Sequence, residues 1–272
     1  MPHLTATRHL VSPPPAPPPE IPYLVRYHQD LVRPFGAEVD PGRWSAGPQV
    51  GFPQLVDHLL AAADGEKLDP DLIVLAYALP DLHPFVTTAS YLNHRLGNRA
   101  RSFAVSEQGL LAPFTALRIA AAHQRGGRGT RALIAVLEQT SLPVYDPLAH
   151  DTGLVDSAVL LAVDAEGDGH PRVLRSGTEG QHLGGLGAVL AEAPAGARLL
   201  VTGARTEVPE TPGVDVHRAR PDTYCTGVWL ELSRRLPEWR ERYDTLVLHD
   251  ADPRSGARAT AVLDLTGTGG PA

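Results

Sequence analysis

From residue 54 to residue 265, apolar runs of strand length alternate with longer stretches of helical spacing, and this alternation limits the possible folds more than any motif does. Residues 54–63 (QLVDHLLAAA) place Leu55, Leu59 and Leu60 on one helical face, and 71–78 (DLIVLAYA) read as a buried strand. A helix over 88–96 stops at Gly97, as helices often stop at glycine, and a short strand follows at 101–105. The apolar helix 110–125 ends at Gly126-Gly127, and strands follow at 131–139 and 156–164. The second half repeats the scheme with strands at 172–176, 198–202, 214–217, 245–249 and 258–265 and helices at 183–192 and 222–236. Each half closes on the same trio, a long helix, a strand and another strand. The pattern predicts an α/β fold with a mostly parallel sheet, and the near-continuous apolar helices predict that some lie between two layers.

Composition removes several function classes. A chain of 272 residues can bury a sizeable core, and its net charge of −7 argues against a general nucleic-acid binder. Cys225 is the single cysteine, which excludes an intramolecular disulfide and a cysteine-based zinc site. Lys67 is the single lysine, which excludes any mechanism needing two. No segment approaches the roughly 18 apolar residues of a membrane span, and the N-terminal stretch lacks the apolar core of a secretory signal. A cytoplasmic protein is expected. Residues 12–22 (SPPPAPPPEIP) predict extended polyproline II, so 1–22 read as a proline-rich surface arm or a docking motif for a proline-binding partner. The glycine-rich stretch 266–272 reads as a frayed tail, leaving 23–265 as one domain with pseudo-halves at about 54–164 and 171–265.

Three stretches together resemble the thiolase fold, and within it a ketoacyl-ACP synthase III-type condensing enzyme. DPDLIVLAYALPDLHPFVTTASYLNHRLG (69–97) is similar to the family's strand, loop and helix leading to the dimer interface. SFAVSEQGLLAPFTALRIAAAHQRGGRGTRALIAVLEQ (102–139) is similar to the strand, nucleophile turn, buried helix and following strand. TYCTGVWLELSRRL and YDTLVLHDADPRSGARATAVLDL are similar to the last helix and the last two strands. The resemblance implies an α/β thiolase-like fold, two pseudo-repeated halves packed in layers around buried helices, shortened in the middle of the second half.

The same resemblance places the family's catalytic residues where this chain carries other side chains. The nucleophilic cysteine, activated at a helix N-terminus, falls on Leu110, with Gln108 or Gly109 as alternatives. Gln108 resembles the glutamine that replaces the nucleophile in some decarboxylating relatives. The histidine falls on Thr202-Gly203, and the asparagine nearest to Asp222. The departures imply a chain that does not condense acyl groups by itself. It would serve polyketide or fatty-acid-type specialised metabolism as a homodimer or as a heterodimer with a cysteine-bearing ketosynthase homologue. The interface strand would match 101–105, an acyl carrier protein is a further possible partner, and no cofactor, metal, nucleic acid or membrane is implied.

The rival reading is repurposed chemistry on an acyl-thioester or carbonyl substrate by Ser106, Glu107, Cys225 or Asp222. Glu107 and Gln108 read equally as helix-terminal caps, and Cys225 as a buried small hydrophobe. His249, Asp250 and Asp252 have ligand-type side chains but follow a strand, where aspartates commonly make turns. His182, within GTEGQHLGGLG, reads as part of a flexible loop that matches no nucleotide-binding spacing. Arg125, Arg128 and Arg131, beside His123, read either as a solvated helix end or as contacts for the phosphate of a carrier protein or coenzyme A.

Overall fold

The computed structural model of the chain describes residues 1–17, 22–62 and 68–267. The first half carries β1 (His3–Val11), α1 (Pro22–Val32), α2 (Pro41–Ala46), α3 (Phe52–Ala61), β2 (Leu72–Ala76) and α4 (Thr88–Arg95). It continues with β3 (Arg101–Val105), α5 (Ala112–Arg125), β4 (Arg131–Glu138), α6 (Pro147–Asp151) and β5 (Ser157–Asp164). The second half carries β6 (Arg172–Thr178), α7 (Leu186–Glu192), β7 (Arg198–Thr202), β8 (Asp215–Arg218), α8 (Gly227–Arg240), β9 (Thr245–Ala251) and β10 (Arg258–Asp264).

The strands run in the order β3-β2-β4-β5-β1-β6-β10-β9-β7-β8, so each half repeats one five-strand arrangement in mirror order about the β1/β6 contact. That contact is slight: His3 pairs with Arg172, and two backbone bonds, Leu4 to Pro171 and Val173 to Pro2, flank it at 2.8 Å. β2 pairs in parallel with β3 and β4, as β7 does with β8 and β9, while the other five pairings are antiparallel. The sheet is therefore mixed, not mostly parallel. β4 leads to β5, and β9 to β10, without a crossover helix packed on the sheet, and such connections return the chain antiparallel.

Side chains alternate between two apolar layers along each central strand. On β4, Ala132, Ile134 and Val136 face the middle layer, while Leu133, Ala135 and Leu137 face the outer helices α3 and α4. α5 and α8 fill the middle layer, where the Phe114 and Trp229 rings meet edge-on at 4.9 Å. α7 covers the far side of the second half through Leu186, Val189 and Leu190, on Leu200, Val247 and Val262. Gly97 and Gly127, both at positive φ, let the chain leave α4 and α5 sharply. The second half has no counterpart of α4: residues 203–214 join β7 to β8 as a loop.

Two sequence expectations need correction here. Residues 3–11 are not part of an arm. They form a strand between β5 and β6, with Thr5 donating to Asp164 at 2.9 Å. The polar residues of β1 are tolerated because its middle is half-buried instead of sealed between layers. The proline-rich reading keeps only 12–17 and 22 among the described residues; 18–21 lie outside them, as do 268–272 of the expected tail. The helix expected from 222 starts at Gly227, because a buried carboxylate takes the backbone N–H groups just before it. No helix of the described residues is long and apolar enough to cross a membrane.

Candidate functional site

α5 and α8 both point their N-termini toward the ends of the central strands. A helix N-terminus leaves its first N–H groups without intrahelical partners and carries partial positive charge, so it draws carboxylates. Each terminus receives one from the opposite half. Glu138, which ends β4, accepts the backbone N–H groups of Tyr224, at 3.0 Å, and of Cys225, in the turn before α8. The Thr226 hydroxyl approaches the same carboxylate at 3.4 Å and also bonds Ser157 at 2.6 Å. Asp252, just past β9, accepts the Leu110 N–H at 3.2 Å in the turn before α5. The Tyr224 hydroxyl donates to the same Asp252 oxygen at 3.1 Å and so links the two caps.

Burial sets the charge state of this cluster. Glu138 is fully buried, and desolvation raises its pKa to about 7 against the pull of the N–H groups it accepts. Asp250 is raised to about 7 in the same way, although the Thr206 hydroxyl donates to it at 2.7 Å. The Cys225 thiol is pushed well up, first by burial and then by Glu138, which leaves it protonated and inert at neutral pH. Burial and Asp252 together raise the Tyr224 phenol.

The positions matched to the family's catalytic residues converge only in part. Leu110 and Gly203 border one small space together with Thr223 and Tyr224. That space is about 10 Å³, scarcely room for one water molecule. Two carboxylates fill the surroundings. A Cβ added at Gly203 would lie 1.9 Å from Asp250 Oδ1, and one at Gly109 would lie 1.6 Å from Asp252 Oδ2. Neither position tolerates a side chain while those aspartates hold their places. Asp222 stands apart, in a partly exposed ion pair with Arg220 that lowers its pKa.

The other candidates separate. Ser106 is half-buried and Glu107 exposed, on a turn where Glu107 has φ 60 and Gly109 φ 52. Gln108 accepts from the Thr115 hydroxyl at 2.7 Å, one turn into α5. His249 bonds Thr260 across the β9/β10 ladder at 2.9 Å, and burial lowers its pKa to about 4. His249, Asp250 and Asp252 thus bond different groups and share no partner among the described residues. Arg131 pairs with Asp164 at 2.7 Å and does not join Arg125 and Arg128 as a phosphate contact.

Two larger clefts flank the 106–109 turn. One, of about 520 Å³, lies against α5 and is lined by Gln108, Thr115, Arg118, His182, Asp252 and Arg254 among others. The second, of about 500 Å³, is lined by His28, Leu31, Tyr77, Pro84, Val86 and Tyr145 among others. Ala78 and Glu107 border both. The stretch around His182 is not a flexible loop at its start. Residues 178–183 are tied by Gly180 N–H to Leu183 at 2.9 Å and His182 N–H to Thr178 at 3.0 Å.

Sequence reasoning missed Glu138 and Arg118. The available signal for Glu138 was a carboxylate closing an otherwise apolar strand run, RALIAVLE; for Arg118 it was a cation on a helix otherwise read as buried.

No protein-family model matches the sequence, and no curated protein does. Solved structures do match in fold. The tetronic acid condensing enzyme AbyA1 is 13% identical with a TM-score of 0.65, over 97% of this chain and 100% of that one. ChlB3, described as an acyltransferase, is 14% identical with a TM-score of 0.63, over 97% of each chain. The 3-oxoacyl-(acyl carrier protein) synthase III of Xanthomonas oryzae pv. oryzae is 13% identical with a TM-score of 0.59, over 97% of this chain and 98% of that one. The fold is thus the thiolase-like fold of these condensing enzymes, as the resemblance implies.

Proposed function

We propose that this chain, built on the fold of the condensing enzymes, is a non-catalytic subunit that pairs with an active ketoacyl synthase III-like enzyme in polyketide or fatty-acid-type metabolism. The observation that carries the reading is the filled centre. Where a thioester would have to reach a nucleophile at Leu110, the space that Leu110 shares with Gly203 and Asp250 is only about 10 Å³. A fold without its reacting groups does not carry the fold's chemistry.

The surface supports a partner. β3 ends the sheet, so its outer row of backbone groups has no neighbouring strand among the described residues, and three of its five residues are exposed. Phe103 on that strand and Val86 line a common recess, and Phe85 beside Val86 is 56% exposed. An unpaired edge flanked by apolar side chains suits strand addition by a second subunit. The test is coexpression with cysteine-bearing synthase III-type homologues, followed by light scattering on the purified material. A 1:1 complex that Phe103→Glu disrupts is the expected result. A chain that stays apart from such homologues, or that gains a stoichiometric acyl adduct when incubated alone with acyl-CoA and acyl-carrier thioesters, overturns the proposal.

One observation favours the second reading. Glu107 is a non-glycine residue at positive φ, exposed and without an ion pair among the described residues, on the turn between the two clefts. Such strained positions gather at functional sites. In that reading Glu107 acts as a base on a carbonyl or acyl substrate. It requires turnover by the isolated chain, lost in Glu107→Gln.

A further inference from the structure

We propose that the cleft against α5 binds a metabolite-sized organic anion, whose carboxylate or phosphate group is held by the Arg118 guanidinium and the His182 imidazole. The inference goes beyond the subunit reading and does not depend on it.

The helix geometry selects the residues. Leu111, Thr115 and Arg118 are spaced four and three apart, so they share one face, and that face lines the cleft. The face of α5 formed by Ala112, Phe114, Ala116, Leu117, Ala120 and Ala121 is buried between the layers. Arg118 is half-buried there and has no hydrogen bond or ion pair among the described residues. A charge taken partly out of water without a counter-ion is costly, and an anion in the cleft removes that cost.

The other lining charges are already engaged. Arg254 donates to both oxygens of Asp146 at 2.9 and 2.8 Å. Asp252 receives Leu110 and Tyr224 on one oxygen, and the Arg254 N–H on the other at 2.7 Å. The exception is Glu107, which stands on the turn shared with the second cleft. It disfavours a ligand negative at both ends, so the expected ligand carries its charge at one end.

His182 stands exposed at the rim of the cleft. Its Nδ1 accepts the Thr178 N–H at 3.3 Å, which leaves the proton on Nε2 as a donor. Gly177 makes the approach possible, since a Cβ there would lie 2.5 Å from His182 Cβ. Gln108 adds donors: its carbonyl is taken by Thr115, which leaves its amide N–H groups free. The volume of about 520 Å³ is that of an ordinary small-molecule site.

The test is calorimetric titration of the full chain with butyrate and 3-hydroxybutyrate in one arm and inorganic phosphate and glycerol 3-phosphate in the other. Saturable binding in one arm identifies the headgroup. Arg118→Met is expected to weaken it about tenfold or more, because a charge-assisted pair is lost, and to leave the thermal midpoint of the ligand-free chain unchanged or raised. His182→Gln, on an exposed side chain, should weaken it about threefold and carries the test if Arg118→Met is insoluble. Absence of saturation in both arms at millimolar concentration overturns the proposal, as does undiminished affinity in these variants.

Discussion

The turns that lead into α5 and α8 occupy equivalent places in the two halves, yet they are finished differently. Before α8, the N–H groups of Tyr224 and Cys225 end on Glu138, which is fully buried. Before α5, Leu110 N–H ends on Asp252, which lines the 520 Å³ cleft, and the chain reverses through two positive-φ residues. One turn is sealed and capped; the other is strained and open. The same device, a carboxylate at a helix N-terminus, stabilises the fold in one half and leaves room for a ligand in the other.

The largest expected effect comes from breaking the sealed turn. Glu138→Ala strands the Tyr224 and Cys225 backbone N–H groups away from water, at a cost of about 3–4 kcal/mol by urea unfolding. Asp252→Ala should cost about half as much, because water in the cleft can replace the carboxylate. Equal losses would show that the two turns are alike. Next comes Gly203→Ala, expected to cost about 2–3 kcal/mol because the new Cβ meets Asp250. The Gly203→Ala/Asp250→Ala pair should recover more than about 1 kcal/mol of that in a double-mutant cycle. Additive losses would remove Asp250 as the group that fills the centre.

A smaller effect follows pH. Folding raises the Glu138 pKa from 4.5 to about 7, so between those values the folded state binds more protons than the unfolded. The stability that this group contributes is present below pH 4.5 and is lost as pH rises toward 7. Unfolding midpoints of wild type and Glu138→Gln at pH 5 and pH 8 isolate the effect from His249, whose lowered pKa works in the opposite direction. The wild type's advantage should shrink by on the order of 2 kcal/mol across that range. A constant difference would mean that Glu138 stays ionised throughout. Least of all, Asp222→Asn should change stability by no more than about 0.5 kcal/mol, since its ion pair with Arg220 is partly exposed.

Local pattern was enough to locate most elements. The strands at 101–105 and 198–202 and the glycine stops after α4 and α5 follow from periodicity and from backbone freedom at Gly97 and Gly127. What escaped depends on distant partners. α8 begins at Gly227 and not at 222 because Glu138, 86 residues away from Tyr224, takes the N–H groups that would otherwise open the helix. The matched positions Leu110 and Gly203 do share one space, while Asp222, the nearest match to the third, faces Arg220 instead. Nothing local to Leu110 or Gly203 reveals that aspartates from the end of β9 occupy their surroundings. Periodicity sees one segment at a time, and a packed centre is the meeting of several.

The place of β1 sets an order of assembly. Its Thr5 bonds residues on β5 as many as 159 positions downstream, and its edge toward the second half awaits β6. β1 therefore stays unseated until β5 has been made. Until Ser157–Asp164 has been made, β1 has no β5 to pair with, and its edge stays open to strands of other chains. Extensions fused ahead of Pro2, whose carbonyl accepts Val173, would bear on that late step more than on the finished fold.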